Sequence, residues 1–217
     1  MTADHDLDAL LKRVDPDRWL SSRFVVDPER RADVVAIYAF DHELARAPKV
    51  ASNPLLGEIR LTWWREVLDE VFEGRPVRHH PTAQALGQAV RRHALPREPL
   101  EAMIDARYRE LDPAPMSEAE ALEWARDTAG RAAELAVRLL DPAADAPAAR
   151  DAGAAWILAR RDPLAAARLL VDARPAASQL SAAAFPAVAH AALIGAPQGR
   201  ELTRRLRVTW AVARGRI

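Results

Sequence analysis

The sequence predicts an all-α protein, a single-domain helical bundle over 1–217, and three observations carry that prediction. Alanine is the commonest residue with 47 copies, and all but two of the 31 Lys+Arg residues, Lys12 and Lys49, are arginine. Both types are strong helix formers. Apolar residues recur at three- and four-residue steps and do not alternate as strands would. The punctuation is proline after an acid or amide, at Asp15-Pro16, Asp27-Pro28, Asn53-Pro54, Asp112-Pro113 and Asp141-Pro142. That is the pattern of an N-cap followed by proline at the first helical position.

Taken in order, the segment from Pro28 carries Val34, Ile37, Tyr38 and Leu44, and the segment from Pro54 carries Leu56, Ile59, Trp63, Val67 and Val71. Both read as amphipathic helices. Similar patterns run over 82–94 and 98–111. Ser117 opens a capping box with Glu120, after which Leu122, Ala125, Ala129, Ala132, Leu135 and Leu139 continue a stripe for about six turns. Further patterns over 148–172, 182–195 and 198–214 complete about eight or nine helices. The linker-like stretch Asp141 to Pro147 would leave about 70 residues beyond it, too few for a core of their own, so one domain is expected.

Composition excludes several functions. The Lys+Arg count of 31 equals the Asp+Glu count of 31, whereas a general nucleic-acid binder needs a basic excess. No nucleic-acid partner is expected. The absence of Cys removes disulfides, thiolate nucleophiles and cysteine-ligated metal centres, and fits a reducing compartment. No apolar run approaches the 18 to 20 residues needed to span a bilayer. The acidic start, with Asp4, Asp6 and Asp8, gives no expectation of a signal or transit peptide. There is no glycine-rich phosphate loop, no GxSxG and no HExxH.

Four blocks then follow one another along the chain: RRADVVAIYAF (30–40), GEIRLTWWREVLDEVFEGRPVRHHPTAQAL (57–86), LPREPLEAMIDARYRELD (95–112) and ALEWARDTAGRAAELA (121–136). Together they resemble the squalene/phytoene synthase family over roughly residues 16–170. The WWRE-to-EGRP block and the aromatic-x-x-x-x-AG block at Trp124 to Gly130 are the most specific. The resemblance implies an isoprenoid-synthase fold with helices around a central cavity. In active members it implies a magnesium-dependent, head-to-head condensation of two prenyl diphosphates.

Such chemistry needs hard carboxylate ligands for clustered magnesium ions, supplied by acids at i and i+4 on one helix face. The family places the first pair just after the YAF-type block, where this chain reads DHELARAPKVASNPLLG. Asp41 and Glu43 are present, but two residues apart they point to different sides of a helix, and Ala45, Arg46 and Lys49 stand where acids are expected. For the second pair, Asp162 is the surviving candidate, with Ala166 at its i+4 position. Both pairs are broken. Losing the clamps removes several kcal/mol from leaving-group stabilisation, at about 1.4 kcal/mol per tenfold in rate.

The resemblance therefore points to a pseudoenzyme of a divergent branch, one that includes the mitochondrial complex I assembly factor and its bacterial relatives. The expected function is partner binding or assembly at a membrane complex, with no cofactor. The alternatives are a prenyl transferase, which would require Mg²⁺, and a module that holds a prenyl lipid in the family's cavity without reaction.

Individual residues carry competing readings. Asp41, His42 and Glu43 form either a metal-binding trio or a solvated or cavity-edge helix surface, and the second is favoured. Asp105 and Asp112 fall where the family has acids near the cavity, but on an arginine-rich helix they are expected to pair with Arg109 and its neighbours. Trp63 and Trp64 are about 100° apart on a helix, so one packs and the other lines a groove or cavity; Tyr38 is placed with them. His79-His80 has no third ligand nearby, so no metal site is expected. From Pro197 to Ile217, six arginines including Arg204, Arg205 and Arg207 face Glu201 alone, while Leu202, Leu206, Trp210 and Ala213 form a stripe. Either the stripe docks on the core, or Arg204, Arg205, Arg207 and Trp210 bind an anionic membrane surface or acidic partner. The expected location is cytoplasmic, with possible peripheral attachment to the inner membrane face.

Overall fold

The computed structural model describes residues 3–49, 53–197 and 199–217. Among them are eleven α-helices and no strand. They are α1 (Ala3–Val14), α2 (Pro16–Ser22), α3 (Pro28–Lys49), α4 (Pro54–Phe72), α5 (Pro81–His93), α6 (Arg97–Tyr108), α7 (Glu118–Ala125), α8 (Arg131–Leu140), α9 (Arg150–Leu158), α10 (Pro163–Ala177) and α11 (Glu201–Arg214). A π-turn, Arg126–Gly130, joins α7 to α8 without a break. The six-turn stripe is thus one continuous rod with a bulge inside it.

Helix α3 is the axis of the bundle. Every residue from Asp33 to Asp41 is buried, the signature of a helix surrounded on all sides, and α1, α4, α5, α6 and α8 pack around it. One hydrophobic core runs from Leu7 to Ala211 and includes both sides of the 141–147 stretch.

The proline punctuation divides into two kinds. Asp15 and Asn53 cap α2 and α4, accepting from Arg18 N and Leu56 N, and Ser117 and Glu120 close the expected capping box on α7. Asp112 and Asp141 instead accept from Ala114 N and Ala143 N in short turns, so no α-helix starts there.

The expected helix over 148–172 is two helices. Asp162 accepts from both Leu164 N and Ala165 N, and Pro163 starts α10; the acid-proline pair interrupts a stretch whose alanine content hides the break. Over 182–195 the chain forms 3-10 turns at Phe185–Ala187 and Ala189–Leu193, where Pro186 removes a backbone donor. The last helix begins at Glu201, not 198; Gln198 lies outside the described residues.

Helix α9 approaches the π-turn so closely that a Cβ on Gly153 would sit 2.5 Å from the Ala129 carbonyl oxygen, and one on Gly130 would sit 2.8 Å from that of Arg150. This contact carries the end of α9 to the mouth of the cleft described next.

Candidate functional site: an arginine-lined cleft

A cleft of about 580 Å³ opens between α2, α3, the end of α6, the 112–116 loop, Trp124 of α7 and the end of α9. At its floor lies Asp41, which is 2% exposed. Arg18 of α2 donates to Asp41 Oδ2 at 2.8 Å and Arg107 of α6 donates to Oδ1 at 2.6 Å. Each arginine holds a second acid: Arg18 Nε donates to Asp15, and Arg107 donates to Glu110 at 2.6 Å. Trp124 Nε1 also donates to Glu110, at 2.9 Å. The result is a chain of alternating charges across three helices.

The electrostatics follow from burial and pairing. Removal from water would push the Asp41 carboxyl up, but the charges of Arg107 and Arg18 and their hydrogen bonds outweigh it and hold the group at about 2. For Arg18, burial opposes the charged form, yet Asp15 and Asp41 lift its pKa above the ordinary arginine range. Its guanidinium lies 4.8 Å from the ring centroids of both Tyr38 and Trp156. A cation stacked in this way is favourable as well as neutralised.

Magnesium, implied by the resemblance for active members, does not fit these residues. The ion takes oxygen donors in near-octahedral geometry. Both Asp41 oxygens already accept guanidinium N–H groups, and no group of three or more His, Asp or Glu among the described residues could hold a metal ion.

The other singled-out residues are dispersed. Glu43 bonds Arg46 at 3.1 Å and borders a separate pocket of about 250 Å³ with Trp63, Trp64 and His80. Trp64 is buried against Phe40, with ring centroids 5.2 Å apart, while Trp63 is half-buried. Burial lowers the His80 pKa. Asp162 caps α10 and borders a third pocket, beside Glu118 and Asp172, so it does not share the cleft of Asp41.

Several expectations need correction. Asp41 is not solvated, because two buried arginines cover it, although it does line the cleft. Tyr38 belongs to the core, with no exposure, and its hydroxyl donates to the Ala187 carbonyl at 3.2 Å. Asp105 pairs with Arg65 of α4, not with Arg109. Asp112 does pair with Arg109, at 3.8 Å, and lines the cleft.

On α11 the stripe faces outward: Leu202, Leu206 and Trp210 are 72%, 61% and 62% exposed, while Val208 and Ala211 are buried. It does not dock on the core. Arg204 is held by Asp17 of α2 and Arg205 by Glu201, whereas Arg207 and Trp210 border a groove of about 690 Å³ with Leu170 and Ile194.

Arg18, Arg107, Arg160 and Arg161, which line the cleft, were not singled out from the sequence. A signal existed for one: Arg107 continues the apolar series Leu100, Met103, Ile104 on α6, and a cation on an apolar face marks a buried ion pair.

The fold and its polar cleft define a helical bundle of the isoprenoid-synthase type. A dehydrosqualene synthase crystal structure superposes with a TM-score of 0.71, covering 97% of this chain and 95% of the other at 14% identity. The squalene synthase HpnC from Alicyclobacillus acidocaldarius superposes with a TM-score of 0.71, covering 98% and 94% at 15% identity. At these identities the likeness concerns the fold alone.

The squalene/phytoene synthase family model matches residues 11–161, and the chain belongs to that family. Among its relatives is NADH dehydrogenase (ubiquinone) complex I, assembly factor 6. The Bos taurus protein is 34% identical over 103 residues, 48% of this chain and 30% of the relative; the Homo sapiens protein is 32% identical over 109 residues, 50% and 32%. The matched region thus spans about a third of those relatives' length. No helix among the described residues is long and apolar enough to cross a membrane.

Proposed function

We propose that this chain is a non-catalytic, synthase-like assembly factor that binds a protein partner, in complex I assembly by likeness to its relatives. One observation carries the non-catalytic part: Asp41, at the family's first acidic position, spends both oxygens on Arg18 and Arg107. Without carboxylates to anchor divalent ions, a diphosphate leaving group loses the charge stabilisation that its departure needs. The test is pyrophosphate release from farnesyl and geranylgeranyl diphosphate with magnesium. None is expected, and magnesium-dependent turnover abolished by Asp41→Ala would overturn the reading. For the assembly part, deleting the chain from its source cell should lower assembled complex I; an unchanged level would count against it.

The exposed face of α11 supports a location at an anionic membrane surface, on the cytoplasmic face of the inner membrane. Leu202, Leu206 and Trp210 lie outward between Arg205 on one side and Arg207 and Arg214 on the other, an arrangement suited to the headgroup boundary. A prenyl lipid has less support, since charged side chains line the central cleft. Sedimentation with phosphatidylglycerol vesicles should fall on joint Trp210→Ala and Arg207→Glu substitution. Equal sedimentation of the variant and the parent would sink the membrane location.

A further inference from the structure

The groove of about 690 Å³ beside α11 joins an apolar lining to a cationic rim. Leu170 of α10, Ala191 and Ala192 of the 189–193 turn, Ile194 after it and Leu206 of α11 supply the apolar part. Arg174, one turn beyond Leu170, and Arg216, just past the end of α11, stand together at one end, where Arg174 Nε donates to the main-chain oxygen of Ile217 at 3.0 Å. Arg207 adds a third cation from α11 itself. No Asp or Glu among the described residues lines the groove. Arg174 is thus engaged, whereas Arg207 and Arg216 have no carboxylate partner among the described residues. At the mouth Trp210 is 62% exposed, and Arg214 lies over its ring at 4.1 Å from the centroid. The stacked indole and guanidinium form a lip that is apolar on one side and charged on the other.

An apolar channel bordered by unpaired cations matches a molecule with one anionic end and one hydrocarbon chain. The chain would take the exposed apolar lining out of water, and the anionic end would satisfy the free guanidinium donors. The volume lies within the range of roughly 300–1,000 Å³ that small-ligand sites occupy, whereas a helical peptide, about 10–12 Å across, needs a longer open trough. A second copy of this chain would bring Arg207, Arg214 and Arg216 against the same cations, a like-charge contact. We propose that the groove between α10 and α11 takes up one acyl chain of an anionic phospholipid, with the headgroup phosphate held by Arg207 and Arg216. The inference rests on the membrane-surface reading of α11 and deepens it, because it gives that surface contact one defined lipid per chain.

The probe is lauroyl lysophosphatidylglycerol, kept monomeric below its micelle concentration and titrated calorimetrically into the full chain. Saturable binding is expected, and lauroyl lysophosphatidylcholine, whose headgroup has no net charge, should bind about tenfold more weakly. Arg207→Gln with Arg216→Gln should bring the anionic lipid down to the level of the neutral one. Both side chains are exposed, so this variant should melt like the parent, and Arg168→Gln, on a part of α10 outside the groove, serves as the unaffected control. Ala192→Phe should fill the groove and abolish binding of both lipids; Thr203→Phe fills it from the α11 wall if the first variant melts early. Sedimentation with phosphatidylglycerol vesicles separates this inference from the reading it rests on. Vesicle binding without saturable binding of the monomer sinks the groove and keeps the membrane location, whereas monomer binding without vesicle binding keeps the groove and sinks the location. The proposal also falls if the two lysolipids bind equally, if the folded groove-filling variants bind like the parent, or if an acidic amphipathic peptide binds the groove and the lysolipid does not.

Discussion

Arg107 donates to Asp41 at 2.6 Å across the α3–α6 contact, and each side chain is only 3% exposed. Such a pair is not in itself a large source of stability, because desolvation of both ions offsets their attraction. Removing one partner is another matter. Asp41→Ala would leave Arg107 and Arg18 charged in the interior with one acid fewer between them, and should cost about 3–5 kcal/mol. Asp105→Ala, which breaks an exposed pair with Arg65, should cost under about 1 kcal/mol. Urea midpoints at equal m-value give the comparison, and similar losses for the two variants would contradict the buried network.

Acid should destabilise the protein in two separate windows. His190 is fully buried with neither ring nitrogen hydrogen-bonded, and burial, with Arg18 and Arg160 adding to it, lowers its pKa well below the ordinary range. Below about pH 6.5 the unfolded chain takes a proton that the folded one refuses, so stability falls as pH drops through that value. Asp41 acts lower. Its folded pKa of about 2 lies below the unfolded value of about 3.9, so its contribution, on the order of 2 kcal/mol, is complete above that value and lost as pH falls toward 2. His190→Phe keeps ring contacts with Tyr38 and Trp156 and should flatten the melting temperature between pH 7 and 5.5. An unchanged slope would remove His190 as the source.

The helical class and the capped starts of α2, α4 and α7 are written in local sequence, because spacing and caps act within a few residues, whereas α3, which reads as amphipathic, is buried on all sides from Asp33 to Asp41. Nor is the cleft written there. Asp41 continues the Val34, Ile37, Tyr38 series of α3, which places it on a buried face, but its partners lie 23 and 66 residues away, and no periodicity encodes that pairing. Arg160 lies over Trp156 on its own stretch of chain, but the contact of Arg161 with Trp124 is made only by the fold. Apolar pattern misleads on α11, where Leu202, Leu206 and Trp210 are the larger residues yet Val208 and Ala211 are the buried ones. Helix α11 meets the body through the 189–193 turn and α2, a narrow seat that small side chains fit.

Gly153 is fixed by packing, not by backbone angle. A Cβ there would meet the Ala129 carbonyl oxygen at 2.5 Å and Ala133 Cβ at 2.8 Å. Both neighbours are backbone or alanine in the buried π-turn and α8, so nothing can swing aside. Gly153→Ala should therefore destabilise by about 1–3 kcal/mol despite the helix propensity gained. Gly57 offers the contrast, since the atom in the way is the end of the Leu111 side chain, which can rotate. Gly57→Ala should be close to neutral. Thermal melts of the two variants separate the cases, and equal losses would mean that α9 has room to retreat.

The seat of α11 rests on Asp17, which accepts from Arg204 on α11 and from Trp156 Nε1 on α9 at 3.1 Å. Arg204 and Asp17 are 18% and 15% exposed, whereas Arg205 and Glu201, one turn apart on the helix surface, are 57% and 74% exposed. Removing Arg204 should thus cost about 1.5–3 kcal/mol of local stability, and removing Arg205 less than about 0.5 kcal/mol. Because α11 buries little apolar area of its own, the loss should appear as local opening before global unfolding. Hydrogen exchange of the α11 amides is the measurement: Arg204→Ala should speed exchange across 201–214 by about tenfold or more while α3 stays protected. Charge reversal at Arg204 would accordingly disturb the helix itself, so partner or membrane binding is better probed at Arg207 and Trp210. Equal protection of α11 in the Arg204→Ala and Arg205→Ala proteins would show that Val208 and Ala211 hold the helix without the ion pair.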